Sequence, residues 1–369
     1  RKRRSLAFHI LNGRPYPLRG VCMHQDMEGK ASALSREDYR RDYAMIEELG
    51  ANFVRHGTYP LNDYALALAD SLGIVVQTEV PWVNVCGTRA RQVYFNNIGS
   101  QMEEMINNFY NHPCIAFWGM WNELGETVNN ESLQGPLDEG KVVEQTRRLY
   151  ELGKELDPDR YFGIADDSVL RREGYTNLKV DFVSENRYNG WHYDLGDFDA
   201  FSDDMNEVHD KVKGPVCVTE YGVGINPFCQ TWDASKLEKD DARHYEGFGN
   251  LLHESYIRQI KKMPWLNYTA TGVMFDFAVS GRNEGYMDSF DGEHFTETPS
   301  RRNINDMGLV TRDRQTRKDV FYLYKSLWNK KETTVCITGK RLKEAPAGKE
   351  IAIKVYSNAK SLTLYQNDH

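Results

Sequence analysis

Short apolar runs alternate with longer amphipathic stretches along most of this chain. Ile74-Val75-Val76, Cys114-Ile115-Ala116-Phe117-Trp118 and Val216-Cys217-Val218 are unbroken and too short to form a helix face, so they read as strands buried on both sides. Between such runs the period changes to that of a helix. Tyr39, Tyr43, Ile46 and Leu49 recur on one face, with Ser35 as cap, Asp38 in the capping-box position and Gly50 as the stop. Further helices are predicted over 64–72, 98–109, 141–156, 244–260 and 318–328. The strands fall at 18–24, 52–55, 74–79, 114–118, 161–165, 180–183, 216–220 and 271–275. Eight strands alternating with helices predict an α/β fold, a (β/α)8 TIM barrel over residues 18–330. Residues 1–17 read as an extended lead-in, with a turn at Asn12-Gly13 and Pro15 and Pro17 opposing helix.

Beyond the barrel the pattern changes to period two. Thr333–Thr338, Glu350–Tyr356 and Ser361–Tyr365 predict three strands, so residues 331–369 are expected to begin an all-β, immunoglobulin-like sandwich that three strands cannot close.

Composition narrows the partners. A net charge of −8 disfavours a nucleic-acid backbone or an anionic membrane surface. No apolar run approaches the length of a membrane span. Arg1-Lys2-Arg3-Arg4 has no apolar run behind it, so it does not read as a signal peptide. Cysteines 22, 86, 114, 217, 229 and 336 form no CxxC pair and no regular spacing, which argues against a disulfide framework or a zinc site. The compartment stays undecided, periplasmic, secreted or cytoplasmic, and assembly into a homo-oligomer stays open.

The chemistry sits where apolar strands run out. Asn122-Glu123 follows the strand ending in Trp118, and Glu220 ends the run introduced by Gly214-Pro215. One such carboxylate is commonly a loop residue or a cap. Two, on parallel strands of one barrel, reach the same C-terminal mouth, where barrel chemistry is done. A carboxyl pair across a cleft is what hydrolysis of a glycosidic bond requires. Aromatic residues make up 12% of the chain, enough for the core and for stacking on sugar rings.

Several motifs occur together and in order: Leu18-Arg19-Gly20-Val21, Asn111-His112-Pro113 leading to Asn122-Glu123, Thr219-Glu220-Tyr221-Gly222, and Gly308-Leu309-Val310-Thr311-Arg312-Asp313-Arg314. On these the chain resembles glycoside hydrolase family 2, the family of β-galactosidases, β-glucuronidases and β-mannosidases. The resemblance covers the barrel and implies a retaining mechanism through a covalent glycosyl-enzyme. It makes Glu123 the general acid/base and Glu220 the nucleophile, with Asn122 donating to the sugar 2-hydroxyl and Tyr188 near the nucleophile. Arg55 would assist Glu220, or else form only a salt bridge at the barrel end. His24 and Glu79 are candidate hydroxyl binders, and Trp191 either stacks on a sugar face or packs its loop.

Departures from the family pattern shape the expected substrate. Phe275 is matched to the tryptophan that strand eight usually presents as a sugar platform. Thr58 replaces a histidine in Gly57-Thr58-Tyr59-Pro60. Val85 lies where the Mg²⁺-binding β-galactosidases have a histidine, so no cofactor is expected. Asn305-Asp306-Met307 lacks the lysine of the Asn-x-Lys motif that pairs with a uronate carboxylate in β-glucuronidases. The expected substrate is therefore a neutral β-linked sugar, first a β-galactoside, alternatively a β-mannoside. A non-catalytic carbohydrate-binding protein is the reading outside enzymology.

Overall fold

The computed structural model describes residues 10–11, 13–124, 134–167, 177–232, 244–280, 287–290, 295–297, 303–343, 347–348 and 350–365. Arg1–Arg4 and Asn12 lie outside them. In chain order the barrel elements are β1 (Arg19–Met23), α1 (Arg36–Leu49), β2 (Phe53–His56), α2 (Asp63–Leu72), β3 (Val75–Glu79), α3 (Gln92–Phe109), β4 (Ile115–Asn122) and α4 (Glu139–Leu156). They continue with β5 (Tyr161–Asp166), β6 (Phe182–Arg187), α5 (Ala200–Lys211), β7 (Val216–Tyr221), α6 (Glu246–Ile260), β8 (Leu266–Thr271) and α7 (Asp319–Trp328). The strands pair in parallel in sequence order, and β8 closes on β1 to complete the barrel.

Local chemistry sets the boundaries. Ser35 accepts from the backbone N–H of Asp38 while the Asp38 carboxylate accepts from Ser35, the capping box read from the sequence. Gly50 and Gly73 close α1 and α2 with φ of 83° and 68°, left-handed values that glycine adopts without strain.

The barrel interior is layered. Phe53, Phe117, Phe182 and Tyr268 come from the four even-numbered strands and meet as one layer near the N-terminal end, each at most 2% exposed. Two odd-numbered strands make room with glycine. A Cβ on Gly20 would lie 2.4 Å from Phe53, and one on Gly163 2.3 Å from Phe182. One layer of rings thus fixes two glycines.

Some expected boundaries move. Strand eight is Leu266–Thr271, five residues before the predicted 271–275. The apolar run Val273-Met274-Phe275 follows the end of the paired strand and packs beside Leu309 and Val310, with Met274 N–H donating to the Cys22 carbonyl of β1. Hydrophobicity marked that core segment, whereas the strand itself carries Asn267, Tyr268 and Thr269. Helix α5 was not anticipated, although Phe201, Met205 and Val208 form its buried stripe. Past the barrel, Val335–Ile337 pairs antiparallel with Val355–Ser357 and is tied to α6 by Tyr356 and Lys354 on Glu254. Ser361–Tyr365, predicted as a third strand, is not one. Leu362, Leu364 and Tyr365 are exposed, with no strand beside them among the described residues.

Candidate active site

The C-terminal ends of the strands carry polar side chains into the mouth of the barrel. On β4 the register slips between Gly119 and Asn122, and this changes which residues face inward. Trp118 and Trp121 turn outward to hydrogen-bond Asp157 and Thr146, while Asn122 turns in. Glu123 follows with φ of 49°, a left-handed conformation unusual for a non-glycine, and its N–H is held by Ala165 of β5 at 2.9 Å.

Arg55 from β2 is the hub. It is fully buried and donates through Nε and Nη2 to both oxygens of Glu79, each at 2.8 Å. The same Nη2 reaches Asn122 Oδ1 at 2.7 Å, and Nη1 donates to Glu220. The Tyr188 hydroxyl donates to the other oxygen of Glu220. Burial, followed by the charges of Glu220 and Glu123, holds the Tyr188 phenol well above its ordinary value, so it remains a donor. Glu220 therefore has a cation on one oxygen and a hydroxyl on the other.

Glu123 has different surroundings. Asn186 of β6 donates to it at 2.7 Å through Nδ2, and the same nitrogen reaches Asn122 Oδ1 at 3.1 Å. Burial first, then the charges of Glu220 and Asp167, push its carboxyl up from 4.5 to about 8. A protonated acid at neutral pH thus belongs to the same network as Glu220. With Asn122 Oδ1 taken by Arg55 and Asn186, the amide nitrogen of Asn122 is left to donate.

A polar chain descends from this hub. Gln77 donates to Glu79 at 2.7 Å, and Tyr268 of the aromatic layer donates to Gln77.

Arg55, Glu79, Asn122, Glu123, Tyr188 and Glu220 are therefore brought together. His24 lies beside them, its ring 4.0 Å from that of Phe277, and burial lowers its pKa to about 4, leaving a neutral imidazole. Trp191 is 4% exposed and packs its ring on His192 and edge-on to Tyr188, which is the loop-packing alternative. Phe275 does not join the group. It is 1% exposed, four residues past the end of β8, with the Arg314 guanidinium 3.9 Å above its ring. The residue that follows β8 beside the carboxylates is Gly272, where an added Cβ would lie 3.2 Å from that of Glu220. Strand eight thus offers backbone at this wall where an aromatic ring was expected.

Asn186, Gln77 and Cys22 were not foreseen. Cys22 lies 3.6 Å from Arg55 and 3.9 Å from Glu220, its thiol pushed up by burial. Asn186 could have been found by counting two inward-facing steps from Phe182 through Ser184. A divalent cation on Glu79 does not fit these residues, because Arg55 and Gln77 occupy its oxygens and the Val85 carbonyl is taken by Trp82 and Tyr94.

A closed parallel barrel thus brings two carboxyls in unlike surroundings to its mouth, an arrangement compatible with glycosidic-bond chemistry. Comparison with known proteins names the family. The family description "Glycosyl hydrolases family 2, TIM barrel domain" matches residues 5–332, and the chain belongs to that family. A β-glucuronidase of Bacteroides fragilis is 33% identical over 90% of this chain and 44% of its own length. An FMN-binding β-glucuronidase of Faecalibacterium prausnitzii superposes with a TM-score of 0.79 at 32% identity, covering 94% of this chain and 49% of that one. The structure of a protein described as a putative β-galactosidase, also from B. fragilis, gives 0.77 at 30% identity, over 95% and 48%. The chain spans less than half the length of each.

Proposed function

We propose that this barrel is the catalytic domain of a retaining exo-β-glycosidase. The observation that carries the reading is the unlike treatment of two carboxyls in one network: Glu123 pushed up to about 8, Glu220 held by Arg55 and Tyr188. In the first step Glu123 gives its proton to the glycosidic oxygen as the bond to the anomeric carbon breaks. The Glu220 carboxylate attacks that carbon and forms a glycosyl ester. In the second step the Glu123 carboxylate takes a proton from water, which displaces Glu220 and frees the sugar. The Asn122 amide donates to the 2-hydroxyl, a contact that strengthens as charge develops on the ring.

For the sugar, relatives named β-glucuronidases favour a β-glucuronide over the β-galactoside suggested by sequence. A neutral β-hexoside is a second reading with its own support. Met307, at the position matched to the uronate-binding lysine, is 3% exposed. Nearby cations already have anionic or carbonyl partners: Lys318 on Asp276 and Asp306, Arg314 on Asp42, Arg312 on Asp26.

The test is trapping with 2-deoxy-2-fluoro glycosyl fluorides, followed by peptide mass mapping. A glucuronyl adduct on Glu220 supports the first reading, and an adduct from the galactosyl or mannosyl reagent alone supports the second. No adduct from any of them, with binding retained, leaves a carbohydrate-binding protein.

A further inference from the structure

The residue before Glu220 has a hydroxyl that serves the opposite side of the cleft. Thr219, fully buried, donates from Oγ1 to Asn186 Oδ1 at 2.8 Å. That carbonyl is the other end of the amide whose nitrogen holds Glu123 and Asn122. We propose that Thr219 and Asn186 form a positioning relay, in which the threonine hydroxyl fixes the orientation of the Asn186 amide and thereby the hydrogen bond received by Glu123. The inference rests on the acid/base reading of Glu123 and adds two residues to it.

An amide can present either end, so something must choose. Two contacts do. Asn122 Oδ1, already accepting from Arg55, requires a donor from Asn186, and a carbonyl turned toward it would oppose oxygen to oxygen. From the other side the Thr219 hydroxyl has one proton, and the nearer of its two acceptors is Asn186 Oδ1, at 2.8 Å against 3.5 Å for the Glu185 carbonyl. Both choices place Nδ2 on Glu123. The consequence is chemical as well as geometric. A donor on a carboxyl favours its charged form, so Asn186 eases proton release from Glu123 in the first step and moderates proton recapture in the second. Among the other groups acting on Glu123, Glu220 and Asp167 oppose its ionisation and Arg55 favours it, and the Tyr188 phenol stays neutral.

The experiment follows the titration of Glu123 directly, by carbon NMR of the full chain labelled at glutamate Cδ, with the resonance identified from its loss in Glu123→Gln. Thr219→Val, which keeps the side-chain shape, is expected to raise the Glu123 midpoint by roughly half to one pH unit. Thr219→Ser restores it. Asn186→Ala raises it at least as far, and adding Thr219→Val to Asn186→Ala changes nothing more. A wild-type midpoint in Thr219→Val, or an additive double variant, overturns the relay. Failure of fluoroglycosides to label Glu220 would count against the glycosidase reading while leaving this titration result standing.

Discussion

The two ends of this barrel are made by the same eight strands and obey different rules. At the N-terminal end, Phe53, Phe117, Phe182 and Tyr268 interlock with ring centroids 4.7–6.1 Å apart. At the other end, a few residues further along the same strands, Arg55, Asn122 and Asn186 are buried to a similar degree but are polar. The aromatic layer gains from removal from water. The polar end is tolerable only because each charge or amide has a partner, and loss of one partner strands the next. One end should therefore govern whether the chain folds, and the other whether the folded chain works.

The sharpest test of this division is Glu220→Gln. Glutamine keeps an acceptor for Arg55, whose charge Glu79 still balances, so the change is expected to lower turnover by about 10⁴-fold or more while the unfolding midpoint stays close to wild type, read by nitrophenyl glycoside assays beside thermal melts. A large loss of stability in this variant would break the contrast.

Phe117→Ala is the converse. Removing a ring that is 2% exposed should cost roughly 3–5 kcal/mol of stability in denaturant titration. The pH dependence of whatever activity remains should not move. A shifted profile would mean that the two ends are not separable at the level of single side chains.

A smaller effect concerns pH. With Glu123 pushed up to about 8, the proton donor is lost as pH rises through that value, so kcat/KM should fall on an alkaline limb near 8. The same shift carries a sign for stability. The folded state holds a proton that the unfolded chain releases from about 4.5 upward, so stability declines between 4.5 and about 8. Glu123→Gln should flatten that decline, checked by unfolding midpoints at pH 5 and pH 8.

The same division explains what the sequence made legible. Strand beginnings were readable because burial there is apolar, and the caps at Ser35, Gly50 and Gly73 because their chemistry is local. Two strand ends beside the carboxylates were not. Predicted strands stopped at Trp118 and Val183, where apolar runs stop, whereas β4 continues to Asn122 and β6 to Arg187. The two carboxylates were recognisable from their place after those runs and from motif resemblance. Asn186 was legible from the alternation of its own strand and was passed over, whereas the bond of Gln77 to Tyr268 and the partnership of Arg55 with Glu79 depend on which strands become neighbours, and no local pattern encodes that. Strand eight failed for the opposite reason: an apolar run, Val273–Phe275, lay in the core past the end of the paired strand.

The ladder from Tyr268 through Gln77 and Glu79 to Arg55 crosses the whole interior. It ties the bottom plug to the Glu220 oxygen that accepts from Arg55, so a phenol at the far end helps set where that oxygen sits. Replacing the plug would therefore reach the chamber above: without the hydroxyl at position 268, Gln77 Oε1 loses the donor that holds it under Glu79.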